Sequence, residues 1–398
     1  MDTPKSPTWS QAPHDAVRDQ LLQHCLQSWL SRQLGGRTTS VTYADGFAGP
    51  GRYGGGEPGA PLIAYREAQR AVSAWPGKQV NMVFVEERSD RLEILRGELG
   101  ESGDLGAAVP TTYRQGRGAQ ALAEALAVPS LPAGPVFALL DGRDGGMTPF
   151  GILPRIAADK AGEVILTFTP GRLSRFGTGE IQSDVAARIF GGTHWNGVFR
   201  QLGSAKYTYL VTQYRASLAL AGFEHVLSVE ILGGRGGEVH MIFATNSSVG
   251  LKTMKDILWS LGPVADVRYR DPRDPNQEPL EIRGDPADGP LRRQLLMVLR
   301  DHPDGMSIKQ LREFALAQTV YRGADADRSI RILMEDGFLE NTAPGALTQR
   351  AVVRLVDPPT APHAWPRARR RAERGRDGVE HHAPDRQAAQ AAQAEQPE

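Results

Sequence analysis

The stretch VTYADGFAGPGRY carries the strongest chemical pattern in the chain. A short β-branched and aromatic run ends at Asp45, and Phe47, Gly49 and Gly51 follow at alternating positions. An acid at the end of a strand presents its carboxylate where open α/β sheets bind ligands. Glycines two residues apart let backbone pass close beneath a ligand and adopt left-handed conformations that a side chain opposes. Their spacing differs from the G-x-G-x-x-G dinucleotide fingerprint. A second acid, Glu86, ends the run NMVFVE; Gly116 and Arg117 follow a third run in TTYRQGRG; Asp141 ends a fourth in VFALLDGRDGG. Asp141 is placed to act as a base or to orient a substrate. Asp141 and Asp144 can equally cap a loop, and the alternative for the glycine turn is a strand-to-helix turn that needs glycine for packing. Cys25, the only cysteine, precedes the first strand. It excludes an internal disulfide framework and a thiolate-built metal site. No His/Cys/carboxylate cluster has metal-ligand spacing, so no metal is expected.

These residues need strands whose C-terminal ends meet. Val41–Ala44, Val80–Val85, Thr111–Tyr113, Val136–Leu140 and Val164–Phe168 read as strands, and VFALL and VILTF are apolar throughout, as strands buried on both faces must be. Helical spacing fills the intervals at Pro61–Val72, Ser89–Leu99, Ala119–Ala127 and Pro149–Ala158. Ahead of the first strand, Leu21, Leu22, Cys25, Leu26, Trp29 and Leu30 share a helix face, and Gly35-Gly36 ends that helix. Cys25 is therefore expected to be a small buried hydrophobe. His194 and Trp195 fall in the insertion after the fifth strand, a region expected to close over substrate. After a helix at Lys206–Leu220, GGRGG joins strands His225–Leu232 and Glu238–Thr245 into a hairpin, where His225 and His240 read as structural. The alternation predicts an α/β, Rossmann-type, mostly parallel sheet with an antiparallel terminal hairpin over residues 1–265.

Prolines and charges predict a linker over 266–288. Leu291–Arg300, Ser307–Leu316 and Asp325–Asp336 read as helices, the second capped by Ser307, and strands follow near Phe338–Glu340 and Val352–Val356. Three helices and a ribbon predict an α+β winged-helix domain over 289–357. Arg322, Arg328 and Arg331 suggest nucleic acid, whereas Asp325 and Asp327 beside them suit protein docking. Residues 358–398, rich in Pro, Ala, Gln and Arg, predict a disordered tail whose RARRRAERGR run is either a solvated segment or a source of nonspecific nucleic-acid affinity. The 398 residues balance 46 basic against 46 acidic side chains, which argues against binding nucleic acid by overall charge. MDTPKSPTWSQAPHD lacks the apolar core of a signal peptide, and no apolar run reaches membrane-spanning length. A soluble cytoplasmic protein that engages no membrane is the expectation.

The Asp45–Gly51 loop resembles the S-adenosylmethionine loop of class I methyltransferases. The resemblance implies that Asp45 pairs with the methionine ammonium and that Gly49 and Gly51, with Phe47 between strand end and glycines, underlie the methionine and ribose. It also implies that Glu86 accepts hydrogen bonds from the ribose hydroxyls and that Gly116 lies where an acid often faces the adenine. Asp141 takes the position of the acid that opens an Asp-Pro-Pro-aromatic slot in amino-methyltransferases. Gly142 and Arg143 follow it here, so the slot is not reproduced. Cytosine C5 chemistry, which needs a thiolate near that strand, is excluded. The pieces DGFAGPGRY, GEPGAPLIA, VFVEERSDRLEIL, RIFGGTHW and FATNSSVGLKTMKDILW together resemble the three-Cys-motif partner protein (TcmP) family. The resemblance runs from about Leu21 to Trp259, and the winged-helix segment through Val356 agrees with it. It implies a methyltransferase-like fold and, as partner, a separate protein carrying three cysteines. That family reads Asp-Pro-Phe-Gly at the fourth strand, whereas this chain reads Asp141-Gly142-Arg143-Asp144-Gly145. Two functions are thus expected as alternatives. One is an S-adenosylmethionine-dependent methyltransferase acting on nucleic acid or a partner protein. The other is an inactive methyltransferase-like protein that binds DNA or a partner through its winged helix.

Overall fold

The computed structural model describes residues 6–101, 106–128, 131, 134–142, 148–174, 180–203, 205–231, 239–261, 267–270, 279–282 and 286–356. The GGRGG turn, Arg143 to Gly145, most of the expected linker and the tail lie outside the described residues.

Helix α1 (Pro13–Leu34) precedes β1 (Ser40–Asp45). The alternation then runs α2 (Ala60–Ala74), β2 (Gln79–Glu86), α3 (Ser89–Glu101), β3 (Thr111–Gln115), α4 (Gly118–Leu126), β4 (Val136–Leu140), α5 (Leu153–Ala157) and β5 (Glu163–Phe168). Helices α6 (Pro170–Ser174), α7 (Glu180–Phe190) and α8 (Ala205–Leu220) lead to β6 (His225–Ile231) and β7 (Val239–Thr245), and α9 (Ser248–Ser260) follows. β1 pairs in parallel with β2 on one side and β4 on the other, which places Asp45 and Glu86 at neighbouring strand ends. β7 inserts antiparallel between β5 and β6, giving the order β3-β2-β1-β4-β5-β7-β6. This is a mixed α/β, methyltransferase Rossmann-like sheet, mostly parallel with an antiparallel end.

Two further strands, β8 (Val267–Tyr269) and β9 (Leu280–Glu281), continue the sheet beyond β6. Both come from the stretch expected to be a linker. Val267 and Tyr269 bury while Arg268 between them stays partly exposed, a period of two too short to stand out among prolines and charges.

The same alternation divides the core. Val41, Tyr43, Met82 and Phe84 face a layer containing α1, α2 and α9, whereas Ala44, Val83 and Val85 face the layer of α4, α5 and α8. Cys25 is buried against Met254 of α9, with sulfur atoms 3.4 Å apart, and desolvation pushes its thiol far above the ordinary range. Such a thiol is not a nucleophile. Among the described residues, no helix is long and apolar enough to cross a membrane.

The C-terminal region packs α10 (Gly289–Arg300), α11 (Ile308–Gln318) and α12 (Gly323–Glu335) against a three-stranded sheet of β10 (Met306–Ser307), β11 (Leu339–Asn341) and β12 (Val352–Leu355), ordered β10-β12-β11. Ser307 caps α11 as expected. Its hydroxyl accepts the Gln310 N–H at 3.2 Å, and the Gln310 side chain accepts the Ser307 N–H at 2.8 Å.

The joint between this region and α9 is polar and buried. Lys255 is fully buried, and its ammonium donates to the carbonyls of Ala315 (3.2 Å), Thr319 (2.6 Å), Tyr321 (3.0 Å) and Leu316. One turn on, the Trp259 indole donates to Val320 O at 3.1 Å and stacks on Tyr321. The carbonyls of Ala315 and Leu316 belong to the last turn of α11 and the other two follow it, where a cation is favoured by the orphan C=O groups. Lys255→Met keeps the apolar stem but strips four buried acceptors of their donor, and should cost about 3 kcal/mol. Hydrogen exchange should show the loss as faster opening of residues 308–321, with β1–β5 protected as before; unchanged protection there would contradict the role given to Lys255.

Candidate functional site

The loop after β1 is anchored on both sides of its strand. The Gly46 N–H donates to Leu139 O of β4 at 3.0 Å and the Ala48 N–H to Val85 O of β2 at 2.9 Å. Gly49 and Gly51 have φ of 68° and 89°, a region that L side chains resist. A Cβ at Gly49 would lie 2.9 Å from the Trp9 ring, and one at Gly51 would lie 3.0 Å from Leu95. Backbone conformation and packing therefore both require glycine here. The Gly49 N–H donates to Glu86 Oε2 at 2.9 Å, and the Arg88 N–H holds Oε1 at 2.9 Å. Each Glu86 oxygen keeps a further lone pair for a ligand donor.

Above these strand ends opens a cavity of about 850 Å³. Asp45, Phe47, Gly51, Glu86 and Asp141 all line it, so most of the expected site residues meet in one place. Gly49 stands behind the wall and acts through its hold on Glu86. Gly116 does not line the cavity either: a Cβ there would press on Ala121 at 2.6 Å, and the lining falls to Arg117 and Gly118. Phe47 packs so closely over Gly118, at 2.6 Å from an added Cβ, that the second position must be glycine. Trp195 is buried and stacked on Phe190, while His194 Nε2 lies 3.0 Å from Ser217 Oγ. Both serve the core of the insertion, and its contribution to the cavity comes from Val185, Arg188 and Ile189 of α7.

Asp141 is held rather than free. One of its oxygens accepts from Arg18 Nη1 and the other from Thr167 Oγ1 at 2.5 Å. Arg18 is itself buried: Nη2 donates to Asp19 Oδ1 at 2.7 Å and to the Tyr53 hydroxyl at 2.6 Å, and that hydroxyl donates to Asp19 Oδ2 at 2.8 Å. Burial opposes its charge, but Asp19, Tyr53 and Asp15 outweigh that and hold the guanidinium charged. This cluster joins α1, the glycine loop and β4, and sequence reasoning missed it. The signal was present: Asp15, Arg18, Asp19, Leu22, Leu26 and Trp29 lie on one helical stripe, so the charges continue a buried face.

Pro149 also lines the cavity, and Phe150 packs on Gly191, whose φ is 72° and whose absent Cβ would lie 2.4 Å from the Phe150 ring. Pro149-Phe150-Gly151, which begins eight residues after Asp141, thus reaches the cavity through Pro149.

Asp45 differs from the other acids of the site. Its Oδ1 accepts the Phe47 N–H at 2.9 Å and Oδ2 lies 3.4 Å from the Tyr43 hydroxyl, and among the described residues no cation reaches hydrogen-bonding distance. Burial pushes its carboxyl up to about 7, against the pull of the Phe47 N–H and of Arg18. A buried carboxylate lacking a cation is a place for one.

No protein-family model and no curated protein matches the chain. Solved structures similar to part of it include magnesium protoporphyrin IX methyltransferase from Synechocystis PCC 6803 with bound SAH (14% identity, 58% of this chain and 85% of that one, TM-score 0.28). Others are the N-terminal domain of human METTL16 in complex with SAH (10%, 55% and 68%, TM-score 0.28) and a protein of Legionella pneumophila str. Philadelphia 1 (8%, 57% and 85%, TM-score 0.32). At these scores the fold rests on the strand order itself.

Asp45→Asn removes the uncompensated charge and keeps an oxygen for the Phe47 N–H. A carboxyl raised from 3.8 to about 7 on folding stabilises the folded state at low pH and loses that contribution as pH rises through about 7. Thermal unfolding of wild type and variant should therefore nearly coincide at pH 4. At pH 8 the variant should be the more stable by about 4 kcal/mol. A variant no more stable at pH 8 than at pH 4, relative to wild type, would refute the buried charge.

Proposed function

We propose that the chain is an S-adenosylmethionine-dependent methyltransferase of the three-Cys-motif partner kind. The observation that carries this reading is the pair Asp45 and Glu86. They sit at adjacent strand ends, Glu86 accepts the Gly49 N–H of the loop that follows Asp45, and both open into one cavity. Their chemistry fits the cofactor. Asp45, buried and without a cation, would hold the ammonium of the methionine moiety. Glu86, with a lone pair left on each oxygen, would take the ribose hydroxyls. When bound, the cofactor supplies a methyl group activated on a sulfonium sulfur.

The protein's own part is to bind, orient and dehydrate. Phe47 and Leu139 give the cavity apolar wall, and α7 with Pro149 closes one side. Asp141, clamped between Arg18 and Thr167, would accept a hydrogen bond from the substrate and aim it. Pro149-Phe150-Gly151 beside it supports a target slot of the kind that family carries at its fourth strand.

The C-terminal region is read as a winged helix that docks protein. Arg322 and Arg328 both bond Asp325, and Arg312 bonds Asp327 at 2.8 Å, so these arginines are neutralised within the domain. A DNA groove needs them facing phosphate. The separate three-cysteine-motif protein is the partner this reading implies.

Asp45→Asn tests the cofactor site without the ambiguity of a destabilised variant. Calorimetry with S-adenosylmethionine should show the wild type binding more tightly as pH is raised from 6 to 7.5, since Asp45 ionises in that window. The variant, although the more stable protein at neutral pH, should bind at least ~10-fold more weakly and lose most of that pH dependence. Equal affinity in the two proteins would remove Asp45 from the site, and no wild-type binding at millimolar ligand would end the proposal.

A further inference from the structure

The cavity has a second chemical character beyond its two strand-end acids. Six arginines line it (Arg18, Arg52, Arg88, Arg91, Arg117 and Arg188) against four acids, Asp45, Glu86, Glu87 and Asp141, in a chain whose formal net charge is zero. Arginine in place of lysine says little, because arginine is the common base throughout this sequence. The sign and the positions are informative.

Four of the six have strong local engagements. Arg18 holds Asp141 and Asp19, Arg52 holds Glu98 at 2.6 Å, Arg88 holds Asp90 at 2.5 Å, and Arg91 lies over the Trp9 ring and donates to Pro7 O at 3.1 Å. The remaining two stand at the mouth. Arg117, just beyond β3, has a side chain 86% exposed, and its partner Glu87, at 3.3 Å, is exposed as well. An ion pair so exposed is worth little and is readily exchanged. Arg188 on α7 is exposed and has no acidic partner among the described residues. β3 and β4 lie three strand spacings apart, roughly 14 Å; Arg117 follows β3, whereas α7 packs on the turn Phe150–Ile152 beyond β4 and on α8. The weakly paired Arg117 and the exposed Arg188 therefore come from different walls of one opening.

We infer that the second occupant of this cavity is a single-stranded nucleic acid, its phosphates gripped at the mouth by Arg117 and Arg188 and a base turned inward. The inference rests on the cofactor reading above, since a sulfonium cofactor would leave the cavity still more positive and favour an anionic substrate. A volume near 850 Å³ stands at the upper end of the ~300–1,000 Å³ usual for small-molecule sites, which leaves room for a base as well as a cofactor. Guanidinium forks fit phosphate and carboxylate alike. Phe47, Val185 and Ile189 tilt the choice, because they offer a base the apolar and aromatic faces that an acidic peptide does not use.

The test uses the full chain and a short single-stranded oligonucleotide carrying 4-thiouracil, irradiated and mapped by mass spectrometry, with affinity measured in parallel by anisotropy. Cross-links should fall in the peptides around Phe47, Arg117 and Arg188. The Arg117→Ala, Arg188→Ala double variant should bind at least ~5-fold more weakly, with a salt dependence shallower by about 1.4 for the two lost phosphate contacts. The corresponding double lysine variant should recover most of the affinity. Cross-links confined to the arginine run at residues 367–376, affinity unchanged in the alanine variant, or displacement of the oligonucleotide by an acidic peptide at equal concentration would each overturn the inference. Titration of the wild type with S-adenosylmethionine separates the two readings: cavity cross-links without cofactor binding would sustain the nucleic-acid site and defeat the cofactor one.

Discussion

Arg18 is the group on which the site depends. It is a buried cation donated by the first helix, and its nitrogens meet Asp19, Tyr53 and Asp141. A buried guanidinium must be fully paired, and each of its partners belongs to an element that has to be placed. Tyr53 comes from the far end of the glycine loop, Asp141 from the tip of β4, and Asp19 from α1 itself. The apolar stripe of α1 docks the helix on the sheet, and Arg18 converts that docking into a fixed distance between loop and fourth strand. The cavity wall is therefore a consequence of one charge being satisfied.

The two strand-end acids are treated in opposite ways. Glu86 is surrounded by donors, from Gly49 and Arg88, and Arg91 stands 4.0 Å from it. Asp45 is next door, deeper, and poorly compensated. A fold selected for stability alone would not keep an acid whose carboxyl is pushed up to about 7. Under the proposed function, the ammonium of the cofactor would offset the charge that burial penalises there. At the other end of the molecule Lys255 shows the complementary solution, a buried cation closed in by four backbone carbonyls that leaves no vacancy for a ligand.

The scaffold was largely readable because its signals are local. VFALL and VILTF announce buried strands by composition, Ser307 announces a helix start by its capping partner three residues on, and Cys25 falls on an apolar stripe. The loop and its strand-end acid were readable for the same reason. What escaped depends on partners far away in the chain. Arg18 looks like an ordinary helix charge until Asp141, 123 residues later, is brought against it. Lys255, three residues from Lys252, reads as a solvated helix lysine until residues 315–321 cover it. Gly116 was placed one turn too early, because a glycine pair flanking Arg117 does not reveal which member a ring will cover. β8 and β9 are too short for any period to show.

The most direct measurement is a crystal structure of the full chain grown with S-adenosylhomocysteine. Density for the ligand should fill the cavity above β1 and β2, its ribose against Glu86 and its amino group toward Asp45, with the Gly49 N–H bond to Glu86 retained. An empty cavity at saturating ligand, or ligand bound elsewhere with Asp45 and Glu86 untouched, would contradict the central claim.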